Sequence, residues 1–149
     1  MKLYTLIGLL LIMTNCFAQK DSLVWSDEFT GSGLPDAARW DYDLGNSGFG
    51  NNEIQLYTNT TSNVRQENGL LVINALKTGN TWTSARLVSR DKYEFTEGRV
   101  VFRAKISAGI GTWPALWMLG ANSDSVGWPA CGEIDVAEHR GKEFGVIYS

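Results

Sequence analysis

The feature that most limits the fold of this sequence is a series of short runs in which apolar and polar residues alternate. The clearest run is residues 98–106, whose apolar side consists of Val100, Phe102, Ala104 and Ile106. A period of two is typical of a strand with one buried face. The run 84–89 also alternates, the run 70–75 is continuously apolar, and two further extended runs cover 113–119 and 133–138, all separated by turn-forming residues. Several short strands with regular turn signals predict an all-β, antiparallel sandwich.

The first eighteen residues follow a different pattern. Met1 and Lys2 give a positive start, residues 3–13 are almost entirely apolar, and Ala18 offers a small residue for cleavage. This pattern predicts a signal peptide over 1–18, because the apolar run is shorter than the ~20 residues of a membrane span. We therefore expect a secreted or periplasmic protein with its domain in 19–149. An outer-membrane lipoprotein anchored at Cys16 is the disfavoured alternative.

Composition excludes some classes of partner. The 149 residues carry a net charge of −3 and contain no basic run, whereas nucleic acids and anionic membranes require a basic face. We expect a monomer that binds neither nucleic acid nor a membrane. The six Trp residues suggest a surface that stacks flat ligands, with core packing as the alternative.

The C-terminal run raises the question of how much of a domain is present. Residues 144–149 have the composition of a strand that has just begun. Without a partner such a strand leaves an unpaired edge and a partly covered core. We therefore expect a domain truncated at its C-terminus, with low activity as an isolated fragment.

Three acidic residues in the run at 133–138 are spaced in an unusual way. Glu133 and Asp135 are two residues apart, which places both on one face of a strand. Strict alternation would send Glu138 to the opposite, apolar face, where a carboxylate is costly. One extra residue in a β-bulge around Val136 and Ala137 would return Glu138 to the face of the other two.

Three acids on one face permit three interpretations. Two inward-leaning Glu side chains can approach the ~5–5.5 Å separation used by retaining glycosidases, in which one carboxyl is ionised and the other protonated. Acidic clusters also bind calcium. The third possibility is a solvated strand face, although adjacent like charges destabilise a strand.

The run Glu-Ile-Asp-Val-Ala-Glu matches the E-[I/L]-D-x-x-E signature of glycoside hydrolase family 16 in its bulged form. Five further stretches resemble the bacterial laminarinases of that family: WSDEF (25–29), NNEIQLY (51–57), TSAR (83–86), GTWPALWML (111–119) and GWPACG (127–132). The resemblance covers residues 23–149, in the order of the N-terminal half of the family's domain.

This resemblance implies a jelly-roll sandwich of the concanavalin A-like type, with a substrate cleft across its concave sheet. It implies endo-hydrolysis of β-1,3-glucan or mixed β-1,3/1,4-glucan with retention of configuration, without a cofactor for the chemistry. Glu133 would be the nucleophile and Glu138 the general acid/base, while Asp135 would orient the nucleophile. A family 16 hydrolase of lichenan, agar or carrageenan is the first alternative. A non-catalytic glucan-binding domain is the second, although the three acids argue against it.

The resemblance also implies substrate-binding residues. Trp113, Trp117 and Trp128 would stack on sugar rings, and Asn52 and Arg86 would hydrogen-bond glucosyl hydroxyls. Core packing, turn chemistry and a surface charge are the corresponding structural alternatives.

The family further implies a structural calcium on the convex face. Glu28 and the carbonyl group of Gly69 would be its ligands in this sequence.

Overall fold

The computed structural model describes residues 22–149. The predicted signal peptide over 1–18, its cleavage site at Ala18 and the lipid-attachment alternative at Cys16 lie outside these residues. Within 22–149, no helix is long and apolar enough to cross a membrane.

The described residues form short strands and one helical turn. In chain order these are β1 (Asp41–Tyr42), β2 (Leu56–Tyr57), β3 (Val64–Glu67), β4 (Leu70–Ile73), β5 (Leu76–Thr78), β6 (Thr81–Ser84), β7 (Leu87–Val88), β8 (Ala115–Leu119), α1 (Ser123–Val126) and β9 (Glu133–Glu138). They pair as β1–β7, β2–β6–β5, β3–β4 and β8–β9. Every pair is antiparallel except β2–β6. The predicted all-β, antiparallel class is confirmed.

The hairpin of β3 and β4 follows directly from local sequence. Asn68 and Gly69 connect the two strands, and both have positive φ, 54° and 74°. Two successive residues with positive φ form the tight turn that matches strand twist, and an Asn-Gly pair adopts it at the least cost. A turn-forming pair therefore precedes the run 70–75, as the sequence predicted.

A buried asparagine joins the ends of several strands. Asn63 is 2% exposed and precedes Val64, which is fully buried. Its Nδ2 donates to the carbonyl oxygen of Asn74 and to Oγ1 of Thr83, each at 3.0 Å, while its Oδ1 accepts from Oγ1 of Thr58 at 2.8 Å. Because its polar atoms are paired, the buried amide links β3, β4 and β6.

Two predicted strands differ from the structure. Residues 98–106 form no strand, and Val101 in this segment is 75% exposed. Alternation shows which face of a strand would be buried, but a strand also needs ladder hydrogen bonds to a neighbour, and no other described segment supplies them. The run 84–89 is divided, since β6 ends at Ser84 and β7 begins at Leu87.

Two smaller features were also not predicted in this form. The helical turn Ser123–Val126 lies in a stretch without a helical period. Within residues 144–149, only Tyr148 forms a bridge, which it shares with Glu138.

Candidate active site

The hairpin of β8 and β9 carries the three acidic residues. Its ladder pairs are Glu133–Leu119, Ile134–Met118, Asp135–Trp117, Ala137–Leu116 and Glu138–Ala115. The register shifts between Leu116 and Trp117, so Val136 is opposed by no residue of β8. One extra residue on one strand defines a β-bulge, and the bulge predicted at Val136 and Ala137 is confirmed.

The register fixes the direction of the acids. On the regular strand β8, Ala115, Trp117 and Leu119 alternate onto a single face. Their ladder partners are Glu138, Asp135 and Glu133, and directly opposed residues project to the same side of a sheet. The three carboxylates therefore share one face of the hairpin, as the spacing predicted.

The residue after the acids points the other way. His139 is 4% exposed, and its Nδ1 lies 2.7 Å from the carbonyl oxygen of Val146. It lines a cavity of about 260 Å³ with apolar residues that include Ile106 and Phe144. The carboxylates thus face away from this apolar side, so Glu138 avoids the cost that strict alternation would have imposed.

Glu138 is held by a side chain that the sequence assigned to sugar stacking. Nε1 of Trp113 donates to Oε1 of Glu138 at 2.9 Å. The guanidinium carbon of Arg140 lies 5.4 Å from the centre of the Trp113 ring and 5.2 Å from that of Tyr148. Tyr148 also exchanges two backbone hydrogen bonds of 2.9 Å with Glu138. Trp113 therefore orients one carboxylate oxygen, in addition to presenting a ring that is 49% exposed.

This hydrogen bond leads to a prediction for Trp113→Phe. The substitution keeps an aromatic ring and removes the N–H donor, so Glu138 loses its orienting partner. A hydrogen bond contributes about 0.5–1.5 kcal/mol, and on the glucan that the resemblance implies we expect kcat/KM to fall by about three- to tenfold. Leu23→Ala, at a residue 81% exposed, is the control. An unchanged kcat/KM in Trp113→Phe would show that the contact has no role in turnover.

Arg86 lies in a pocket formed by two rings and two carboxylates. Its guanidinium carbon is 4.6 Å from the centre of the Trp117 ring and 4.9 Å from that of Phe49. Its Nε donates to Oδ2 of Asp43 at 3.0 Å, and its Nη1 lies 3.8 Å from Oε1 of Glu53. The three charged side chains are only 16–19% exposed, which shields them from the solvent that weakens surface ion pairs.

Glu53 has further partners a few residues along the chain. Oε2 of Glu53 accepts from the Tyr57 hydroxyl at 2.5 Å and from Nε2 of Gln55 at 3.0 Å. Burial and the hydrogen bond to Glu53 raise the pKa of Tyr57 to about 12. The hydroxyl therefore stays protonated at neutral pH and remains a donor to Glu53.

Sequence reasoning named Arg86 and Trp117 but not the residues that hold them. Asp43, Phe49 and Tyr57 were not identified. The spacing of Glu53, Gln55 and Tyr57 carried a usable signal, since residues two apart on an extended chain share a face. No such signal connects Asp43 with Arg86, which is 43 residues further along the chain.

Two of the predicted substrate-binding residues lie apart from these contacts. Trp128 is 71% exposed and precedes a cis proline. Asn52 is exposed in the turn that follows Gly48, with φ of 56°. Within the described range, no hydrogen bond or ring contact joins either residue to the acids, so their roles stay predictions.

The predicted calcium site has few donors in this part of the chain. Calcium takes six to eight oxygen ligands, whereas Glu28 and the carbonyl group of Gly69 would supply one group each. No group of three or more His, Cys, Asp or Glu residues that could hold a metal occurs within 22–149. These two residues alone do not make a calcium site, and the assignment stays a prediction.

Comparison with known proteins identifies the fold and family to which this hairpin belongs. The family model described as an XgeA-like, catalytic GH16 domain matches residues 46–144. The chain belongs to glycoside hydrolase family 16. The resemblance drawn from the five motifs and the acidic strand is thereby confirmed.

Three similar proteins define the extent of the match. A beta-glucanase from Rhodothermus marinus is 48% identical over 132 residues, which is 85% of this chain and 46% of that protein. The solved laminarinase structure from the same organism has a TM-score of 0.78 at 50% identity, covering 84% of this chain and 52% of its own. The laminarinase of Flavobacterium sp. UMI-01 has a TM-score of 0.77 at 48% identity, covering 82% and 54%.

These comparisons settle the architecture of the chain. The structural neighbours are family 16 laminarinases, and the predicted antiparallel sandwich of the jelly-roll type is confirmed. The chain spans about half the length of these three relatives.

Proposed function

We propose that this chain is part of a secreted, retaining endo-glycosidase that hydrolyses β-1,3-glucan or mixed β-1,3/1,4-glucan. The observation that carries the proposal is the bulged strand β9, which puts Glu133, Asp135 and Glu138 on one face beside Trp113 and Trp117. The similarity to proteins named beta-glucanase and laminarinase supports the substrate class. The signal pattern of residues 1–18 supports export from the cytoplasm.

In the proposed mechanism one carboxyl group is the nucleophile and the other is the general acid and base. The Glu133 carboxylate attacks the anomeric carbon while the protonated Glu138 donates its proton to the leaving glycosidic oxygen, giving a covalent glycosyl-enzyme. Glu138 then removes a proton from water, which attacks the same carbon from the opposite side and releases Glu133. Two inversions at one carbon give net retention of configuration.

The hydrogen bond from Trp113 specifies which oxygen of Glu138 carries the proton. Oε1 already accepts the indole N–H. The transferable proton therefore belongs on Oε2, the oxygen that does not accept from Trp113. Asp135 lies between the two Glu residues and opposite Trp117, where it orients Glu133 and sets the charge of the site.

The arrangement also limits how a sugar can bind. A glucosyl ring presents C–H faces that pack on an indole. Arg86 lies over one face of the Trp117 ring, so a sugar is restricted to the other face.

The test is hydrolysis by the whole protein of laminarin, lichenan, agarose and carrageenan, with product anomers followed by proton NMR. We expect oligosaccharides from laminarin or lichenan whose first-formed reducing ends are β-anomers. EDTA should leave the rate of the folded enzyme unchanged, because the chemistry uses carboxyl groups only and the predicted calcium is structural. Hydrolysis of agarose or carrageenan alone would favour the alternative substrates. Glucan binding without hydrolysis would favour a binding domain.

A further inference from the structure

Arg86 connects parts of the chain that share no strand pairing. It lies between β6 and β7, and its carbonyl oxygen accepts from the backbone N–H of Asp43 at 3.0 Å. The β8–β9 hairpin shares no ladder with β1, β2, β5, β6 or β7 among residues 22–149. The stack of Arg86 on Trp117 is therefore a side-chain link between those strands and the hairpin that carries the acids.

Two aromatic rings and two carboxylates surround the Arg86 guanidinium. Phe49 and Trp117 cover it at 4.9 and 4.6 Å, and Asp43 fixes its Nε at 3.0 Å. Glu53 provides the second negative charge, at 3.8 Å from Nη1. The contact between a cation and an aromatic ring is more stabilising when the cation is shielded from water. A cation without water needs opposite charges beside it, because removing it from water is costly. The carboxylates of Asp43 and Glu53 meet that requirement, although Asp43 is shared with Arg90, whose Nη2 lies 3.4 Å from its Oδ1.

Glu53 is in turn held in place by its neighbours. The Tyr57 hydroxyl and the Gln55 amide both donate to its Oε2, while its Oε1 lies 3.8 Å from Nη1 of Arg86 and accepts a long hydrogen bond of 3.5 Å from Nδ2 of Asn51. The Tyr57 ring also contacts Phe49 edge to face, with centres 5.1 Å apart. The segment 55–57 thus contacts both the Glu53 carboxylate and the Phe49 ring, one of the two rings beside Arg86.

We propose that Asp43 and Glu53 are positioning residues of the glucan cleft. They hold the Arg86 guanidinium over the rings of Phe49 and Trp117, and so fix the Trp117 ring on which a glucosyl unit stacks. This inference rests on the proposed function and adds to it two residues that act on substrate affinity through Trp117.

The test uses Glu53→Gln in the whole protein, which removes the charge and keeps the shape of the side chain. Loss of a fixed stacking platform weakens ground-state and transition-state binding alike, so we expect KM to rise about five- to tenfold with kcat within about twofold. The dissociation constant of a laminari-oligosaccharide, measured by calorimetry in the Glu133→Gln background, should rise by the same factor. Glu67→Gln, which makes the same chemical change at an exposed ion pair on β3, should alter neither.

A double-substitution cycle shows whether Glu53 acts through Trp117. In a Trp117→Phe background the substitution Glu53→Gln should raise KM by less than about twofold, because effects on one shared element are not additive. Additive effects would overturn the proposal, as would an unchanged KM in Glu53→Gln. If Glu53→Gln fails to fold, Asp43→Asn, which keeps an oxygen acceptor for Nε, carries the same cycle. A wild-type protein that neither binds nor hydrolyses glucan would instead overturn the proposed function.

Discussion

Replacing Glu133 with Gln should lower the turnover of laminarin by at least about a thousandfold while leaving the fold and glucan binding intact. The amide has nearly the same shape as the carboxylate but cannot form the glycosyl-enzyme. Initial rates and calorimetric binding of an oligosaccharide measure the two properties separately. A variant that keeps a tenth of the wild-type rate would show that Glu133 is not the nucleophile.

Asp135→Asn and added azide provide the comparison for that experiment. Asp135→Asn should lower turnover less than Glu133→Gln does, since the proposed role of Asp135 is orientation and charge.

With added azide and an activated β-glucoside, the Glu133→Ala variant should give the α-glycosyl azide, because azide then takes the place of the missing nucleophile. With Glu138→Ala they should give the β-product, because the glycosyl-enzyme still forms on Glu133. The reverse pattern would exchange the two assignments.

Inserting one Ala between Val136 and Ala137 should abolish turnover, again by at least about a thousandfold. The bulge already absorbs one extra residue opposite Trp117 and Leu116. A second extra residue changes the parity of the strand and sends Glu138 towards the side of the hairpin on which His139 is buried.

Deleting Val136 is the matched control, and its expected result is the opposite. The remaining residues keep the same ladder partners in an unbulged strand, so Glu138 stays opposite Ala115 on the face of Glu133. Turnover should remain at least about a hundred times that of the insertion variant. Equal losses in both variants, each with a native circular dichroism spectrum, would contradict the role of strand parity.

Much of the acidic strand was determined by local sequence. Alternation placed Glu133 and Asp135 together, and the cost of a buried carboxylate predicted the bulge that returns Glu138 to their face. The Asn68–Gly69 turn was likewise local, because it depends on backbone conformations that those two residues adopt at little cost. Such features depend on neighbours within a few residues, which the sequence displays directly.

Features that need distant partners were decided only by the tertiary structure. The alternation of residues 98–106 predicted a strand, and that prediction was wrong, because a strand needs ladder partners, which no other described segment provides. The pocket around Arg86 brings together Asp43, Phe49, Glu53 and Trp117, which belong to separate strands and loops. The order of residues along the chain does not show which distant segments come into contact in the fold. The acids were therefore evident from one short run, whereas the residues that hold Arg86 against Trp117 became visible only in the folded chain.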